Sequence, residues 1–285
     1  MLIYTKHYGQ MCNRLWALLP SLAYAMERKT SLYVLFARKD YVDCFPMLKS
    51  CSSLTFLFSS RTTPHWAWRV DRFVEKYNLE VKGELRDISQ LPFFSFVDGW
   101  AHSDDESFIS EQKGNLIQLF QPSLAIRKKI DETLSNFEGL TVGVHIRRGD
   151  YKEYLGGKYY FSDDVYGRYI LNIKKQLDGL GKRCRFLICS NESFDWHHED
   201  VELLRISDAD GITDLYGLSS CDYIMGPPSS YSQWASFVGN VPIQFLLSDD
   251  ADVLLGQFSQ VVRFNQMENG KKLSFNLDQQ KYELR

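Results

Sequence analysis

The sequence predicts an α/β protein built on parallel, Rossmann-like sheets, and three observations carry that expectation. Short apolar runs alternate with amphipathic segments through the second half of the chain, a pattern that implies crossover connections between parallel strands. One run, Leu140 to Ile146, stops abruptly at Arg147-Arg148-Gly149-Asp150. Two adjacent guanidiniums are rarely tolerated inside a sheet buried on both faces, so they are expected at the strand's carboxyl end, where open α/β sheets bind ligands. Finally, 285 residues with 44% hydrophobic and 24% charged content describe an ordinary globule, with room for two modest domains and no run of eighteen apolar residues to cross a membrane.

The first half opens on an apolar strand, Leu2 to Tyr4, and a polar turn through Gly9. A helix then follows to Met26, with Leu15, Leu18, Leu19 and Leu22 at helical spacing, Asn13 as its N-cap and Pro20 as the point of a kink. Strands are expected at Ser31 to Phe36, Leu54 to Phe58 and Phe93 to Val97. Between the last two, Trp66 and Trp68 are either core residues or platforms for a sugar ring.

In the second half, strands are expected at Leu140 to Ile146, Arg185 to Cys189, Val201 to Ile206, Asp222 to Met225, Pro242 to Leu247 and Gln260 to Phe264. The intervening helices are Asp163 to Leu177, Ile212 to Ser219, Ser232 to Val238 and Asp252 to Ser259. The domain boundary falls near residues 121–137, giving domains of 1–130 and 131–285.

A net charge of -3 argues against a polyanion-coating surface, so no nucleic-acid partner is expected. The six cysteines contain no Cys-x-x-Cys pair and read as buried thiols rather than a zinc site. Met1 leads straight into an apolar strand without a signal-like segment, so the expected location is cytoplasmic, with peripheral attachment to the inner membrane face as a variant.

Alternation along the Leu140 to Ile146 strand projects His145 and Arg147 to one face and Ile146 and Arg148 to the other. Guanidinium offers a planar fork of donors that matches phosphate oxygens, so a pair of them suits a diphosphate. The competing reading is a structural ion pair of Asp150 with one arginine. Three other segments place polar groups where an anion or a sugar can bind. Asn13 and Arg14 stand at the first helix start, Asn191 and Glu192 follow the strand ending at Cys189, and Ser229, Ser230 and Ser232 stand at a helix amino terminus. Each also reads as a plain cap or turn. Asp208 and Asp210 have the spacing that holds a divalent cation against a diphosphate, yet Gly211 and a helix follow directly, and a capping turn accounts for them without metal.

Together these stretches resemble the fucosyltransferase superfamily, and within it the α-1,2-fucosyltransferases of glycosyltransferase family 11. His145-Ile-Arg-Arg-Gly-Asp-Tyr151 is similar to that family's His-x-Arg-Arg-x-Asp motif. Phe186 to Glu192, Asp214 to Cys221 and Ser229 to Ala235 resemble its later motifs, in order. Departures occur at Cys12 and Arg14, at Pro228 and at Gln233; they bear on linkage and acceptor rather than on the donor motifs.

The resemblance implies a GT-B architecture, two Rossmann-like domains facing across a cleft, with donor on the carboxyl-terminal domain and acceptor on the amino-terminal one. It implies metal-independent, inverting transfer of fucose from GDP-fucose to an oligosaccharide or lipid-linked glycan, in α-1,2 linkage and with no cofactor. By the same resemblance Arg147 makes the essential phosphate contact, Arg148 assists or braces the loop, and His145, Asn191 and Glu192 lie near guanine or ribose. Ser229, Ser230 and Ser232 approach the phosphates. Asp150 and Glu153 are candidates for the general base by position, and Asp150 can equally orient an arginine. The rival readings are a metal-dependent transferase using Asp208 and Asp210, and a non-catalytic nucleotide-sugar or glycan-binding protein.

Overall fold

The structure, a computed structural model, describes residues 1–85, 93–102 and 106–285, leaving aside the Glu106 side chain. Contacts divide the chain into two units, Met1–Ser123 and Leu124–Arg285.

Unit 1 is organised by β1 (Leu2–Tyr4), whose Leu2 and Tyr4 are buried. It pairs in parallel with β2 (Leu32–Arg38) and β4 (Ser95–Val97), and β3 (Leu54–Ser60) completes the order β3-β2-β1-β4. Helix α1 (Met11–Glu27) follows β1 and buries Leu15, Leu18, Leu19 and Leu22, the residues whose spacing predicts it. Asn13 is not its cap. The helix starts two residues earlier behind Gln10, and Asn13 lies inside the first turn. Pro20 lies inside the helix, which runs on to Glu27. The unit is completed by the short α2 (Lys39–Val42), α3 (His65–Lys76), which carries Trp66 and Trp68, and α4 (Glu106–Leu119). The two tryptophans are 39% and 38% exposed, so neither is a core residue.

Unit 2 begins with α5 (Leu124–Leu134) and is built on a second all-parallel sheet of order β7-β6-β5-β8-β9. The strands are β5 (Leu140–Ile146), β6 (Cys184–Ser190), β7 (Leu203–Leu204), β8 (Tyr223–Gly226) and β9 (Ile243–Phe245). The connecting helices are α6 (Asp163–Gly179), α7 (Gly211–Leu218) and α8 (Ser230–Gly239). From β5 the chain moves outward one way through β6 and β7, then returns to β8 on the other side. This reversal leaves a crevice beyond the carboxyl ends of β5 and β8, the switch point at which such sheets bind ligands.

Three expectations need correction. The helix expected over Asp252 to Ser259 is only a 3-10 turn, Leu255–Gln257. Side chains hold the rest extended: Gln244 bonds the Asp252 carbonyl and the Leu254 amide, while Gln176 bonds the Val253 carbonyl and the Leu255 amide. The strand expected over Val201 to Ile206 shrinks to two residues at the sheet edge. The last expected strand, β10 (Val261–Arg263), pairs with β11 (Gln266–Met267) in an antiparallel ribbon outside the parallel sheet. A second ribbon, β12 (Leu273–Asn276) with β13 (Lys281–Leu284), ends the chain. None of the six cysteines is in a disulfide; Cys12, Cys189 and Cys221 are buried, while Cys44, Cys51 and Cys184 are half-buried.

Candidate active site

Strand β5 is the centre of its sheet, and Val142, Val144 and Ile146 are buried. Gly143 lets α7 approach, since a Cβ there would stand 2.7 Å from the Leu218 side chain. His145 is 5% exposed and its ring lies 5.0 Å from that of Tyr231 on α8, tilted by 30°. Burial, and then the charge of Arg147, push its pKa down to about 3, which keeps the imidazole neutral at neutral pH. Its Nδ1 is buried without a hydrogen-bond partner.

The two arginines divide. Arg147 stays part-exposed at 23%, with its guanidinium 2.7 Å from Asp150 and 5.4 Å from the centre of the Tyr151 ring. Arg148 turns inward, where its 10% exposed side chain donates to Asp163 on the first turn of α6 and lies 5.1 Å from the Tyr160 ring. Asp163 also accepts from the Asp195 amide. Asp150 does pair with one arginine, as the competing reading has it, and the second arginine is a buried brace.

The loop that follows β5 is held on two sides. Asn191 accepts from the Arg148 amide at 3.1 Å and Glu192 from the Gly149 amide at 2.9 Å, so both residues after β6 act as struts for the arginine loop. Gly149 has φ +63°, a left-handed conformation that suits glycine. On the other side Tyr151 donates from its hydroxyl to the Pro228 carbonyl, tying this loop to the one that opens α8.

There Ser229 is the N-cap, its Oγ accepting from the Tyr231 amide at 3.2 Å. Ser232 is fully buried and its hydroxyl donates to the Ser229 carbonyl at 3.3 Å. Ser230 is the first residue of the helix. The structure thus brings His145, Arg147, Arg148, Asp150, Asn191, Glu192 and the α8 serines to one end of the unit 2 sheet. A part-exposed cation on a loop tied to a helix amino terminus is an arrangement that can hold an anion. Glu153 is exposed and ends the 3-10 turn Gly149–Lys152 of the same loop.

Asn13 and Arg14 belong to unit 1. Arg14 donates through Nε to the Gly9 carbonyl at 3.1 Å, and Asn13 fills the space a side chain at Gly9 would need. Arg14 also borders a mostly apolar cavity of about 60 Å³ with Tyr4, Leu18, Phe36, Tyr41 and Phe45. Asp210 is the N-cap of α7, accepting from the Thr213 amide at 2.8 Å and from its hydroxyl, while the Asp208 carbonyl accepts from Lys129. Among the described residues no three His, Cys, Asp or Glu side chains gather as a metal-binding group.

Sequence reasoning missed Asp163. Asp163 follows Ser162, the α6 N-cap, so it reads as an ordinary first-turn acid, and nothing local marks its guanidinium partner fifteen residues upstream.

A parallel sheet with a part-exposed cation at its switch point is suited to holding a phosphorylated ligand. The model of glycosyl transferase family 11 matches residues 38–246, and the chain belongs to that family. No curated protein matches in sequence. Among solved structures, POFUT1 in complex with GDP superposes with a TM-score of 0.55 at 13% identity, covering 86% of this chain and 98% of that one. The fucosyltransferase NodZ from Bradyrhizobium gives 0.53 at 15% identity, covering 90% and 97%. NodZ α-1,6-fucosyltransferase soaked with GDP-fucose gives 0.51 at 15% identity, covering 86% and 94%. The fold is that of these GT-B fucosyltransferases, and the protein is a glycosyltransferase. No described helix is long and apolar enough to cross a membrane.

Proposed function

We propose that the protein transfers fucose from GDP-fucose to a hydroxyl of an acceptor glycan, with inversion, without a metal and in α-1,2 linkage. The observation that carries this reading is Arg147, part-exposed at the carboxyl end of the central strand and within a loop tied to the start of α8. Family membership and the GDP-fucose and GDP complexes of NodZ and POFUT1 support the donor.

In this reading the acceptor oxygen attacks the anomeric carbon in line while the bond from that carbon to the β-phosphate oxygen breaks. The bonding pair leaves on the diphosphate, whose charge grows in the transition state. Arg147 and the α8 amino terminus meet that growing charge, which is where fixed positive groups lower a barrier. Arg148 carries no phosphate; paired to Asp163, it fixes the loop backbone. Asp150 orients Arg147, and Glu153, exposed on the same loop, takes the acceptor proton. Asn191 and Glu192 set the loop's height from β6, and His145 offers a neutral ring beside Tyr231. Unit 2 is the donor side and unit 1 the acceptor side, with an oligosaccharide or lipid-linked glycan as acceptor.

The test is a thermal-shift panel of GDP, UDP, CMP and GDP-fucose, followed by donor turnover in EDTA. Selective stabilisation by the guanine nucleotides and full turnover with chelator are expected. Equal shifts for all three nucleotides refute the donor, and loss of turnover in EDTA that added divalent cation restores refutes metal independence.

A further inference from the structure

The carboxyl-terminal hairpin, β12 with β13, lies beyond the residues that match the family model, which ends at 246. A lone two-stranded hairpin is at best marginal in water and needs a surface to lie on. Here that surface includes the segment that continues the arginine loop. The Tyr282 amide donates to the Tyr159 hydroxyl at 2.6 Å, and the Tyr282 and Tyr154 hydroxyls are 3.0 Å apart. Lys158 donates to the carbonyls of Gln279 and Gln280 at 3.1 and 3.0 Å. Across the hairpin, Phe275 pairs with Tyr282, their rings 5.1 Å apart.

The segment being gripped does not hold its shape by local preference. Leu155, Gly156 and Gly157 all have left-handed backbone, with φ of 52°, 67° and 77°. For a leucine this backbone is strained, and such strain persists only where the surroundings impose it. From the gripped segment a short chain of contacts leads to the candidate phosphate ligand. The Tyr154 ring lies 5.2 Å from that of Tyr151, and Tyr151 supports the Arg147 guanidinium at 5.4 Å while its hydroxyl holds Pro228.

We propose that this hairpin is a positioning element for the transfer reaction: Tyr282, through Tyr154 and Tyr151, holds the Arg147 guanidinium in the place where the departing diphosphate gains charge. The inference rests on the reading of Arg147 given above. Preorganisation is worth most in the transition state, so a loosened Arg147 lowers kcat more than it weakens donor binding.

The test is a double-mutant cycle in the full-length protein with Tyr154→Phe, Tyr282→Phe and both together, reading kcat, donor KM and thermal unfolding, with Arg147→Ala as reference. Each single variant is expected to lose about three- to ten-fold in kcat with donor KM within about two-fold. The double variant should lose no more than either single one, because all three remove the same hydroxyl pair. Wild-type kcat in both singles, or losses that multiply in the double variant, overturn the inference. So does a rise in donor KM with kcat intact. Should Tyr282→Phe fail to fold, Tyr154→Phe decides the matter from the other side of the same contact. If Arg147→Ala itself turns over normally, the donor reading fails; if Arg147→Ala is dead while both tyrosine variants are fully active, only the hairpin's role fails.

Discussion

Two consecutive arginines should fail in opposite ways when truncated. Arg148→Ala removes the partner of Asp163, leaving a carboxylate that is 31% exposed with the Asp195 amide still donating to it. Breaking a fully buried pair costs about 3–5 kcal/mol, and the partial exposure of Asp163 brings this to about 2–4 kcal/mol. For a unit of this size that lowers the melting temperature by on the order of 10 °C. Arg147→Ala breaks a pair whose acid is 61% exposed, worth about 0–1 kcal/mol, so the protein should melt within about two or three degrees of wild type. Its turnover should nevertheless fall by about two to three orders of magnitude, the scale for removing one electrostatic contact to a developing charge. Thermal unfolding and donor turnover, measured on both variants under one condition, give the comparison. The reasoning is refuted if Arg147→Ala melts as low as Arg148→Ala, or if Arg148→Ala keeps wild-type stability.

Three further outcomes follow from the same geometry. Burial raises the Asp214 pKa to about 6, above the value near 4 of an unfolded aspartate, so the folded state holds this proton more tightly. Its contribution to stability is whole below pH 4 and lost as pH rises through 6; Asp214→Asn should therefore exceed wild type by about 1–2 kcal/mol at pH 7.5 and match it at pH 4, read by urea unfolding. Gly226→Ala would place a Cβ 2.7 Å from the His145 carbonyl oxygen, and the backbone shift this forces should cost about 1–3 kcal/mol and disturb the site. Unchanged stability there would contradict the close approach of β8 to β5. Tyr151→Phe leaves the Pro228 carbonyl without its donor, and a loss of about 1–2 kcal/mol in urea unfolding is expected; none would show that the tie between the two loops is absent.

Much of this fold is legible because its strands are short, apolar and punctuated by charge. β5 spans the residues that apolar runs alone mark out, and β1 likewise. What the pattern does not carry is strand order, because the reversal at β5 and β8 depends on which helix crosses which way. The failed helix at 252–259 shows a second limit: glutamines outside the segment, Gln244 on β9 and the sequence-distant Gln176 on α6, satisfy its backbone and remove the incentive to coil. In the candidate site, Arg147 and Arg148 stand out as charges ending an apolar run, but their different fates hang on Asp163, which only the packing of α6 delivers. Asn191 and Glu192 were placed by the end of β6, whereas their bonds to the amides of residues 148 and 149 require the register of β5 against β6.

The most direct measurement is a crystal structure of the protein with GDP bound. A β-phosphate oxygen is expected within about 3 Å of the Arg147 guanidinium, with the phosphates facing the start of α8. GDP bound with its phosphates turned away from Arg147, or held by residues outside the loop after β5, would contradict it.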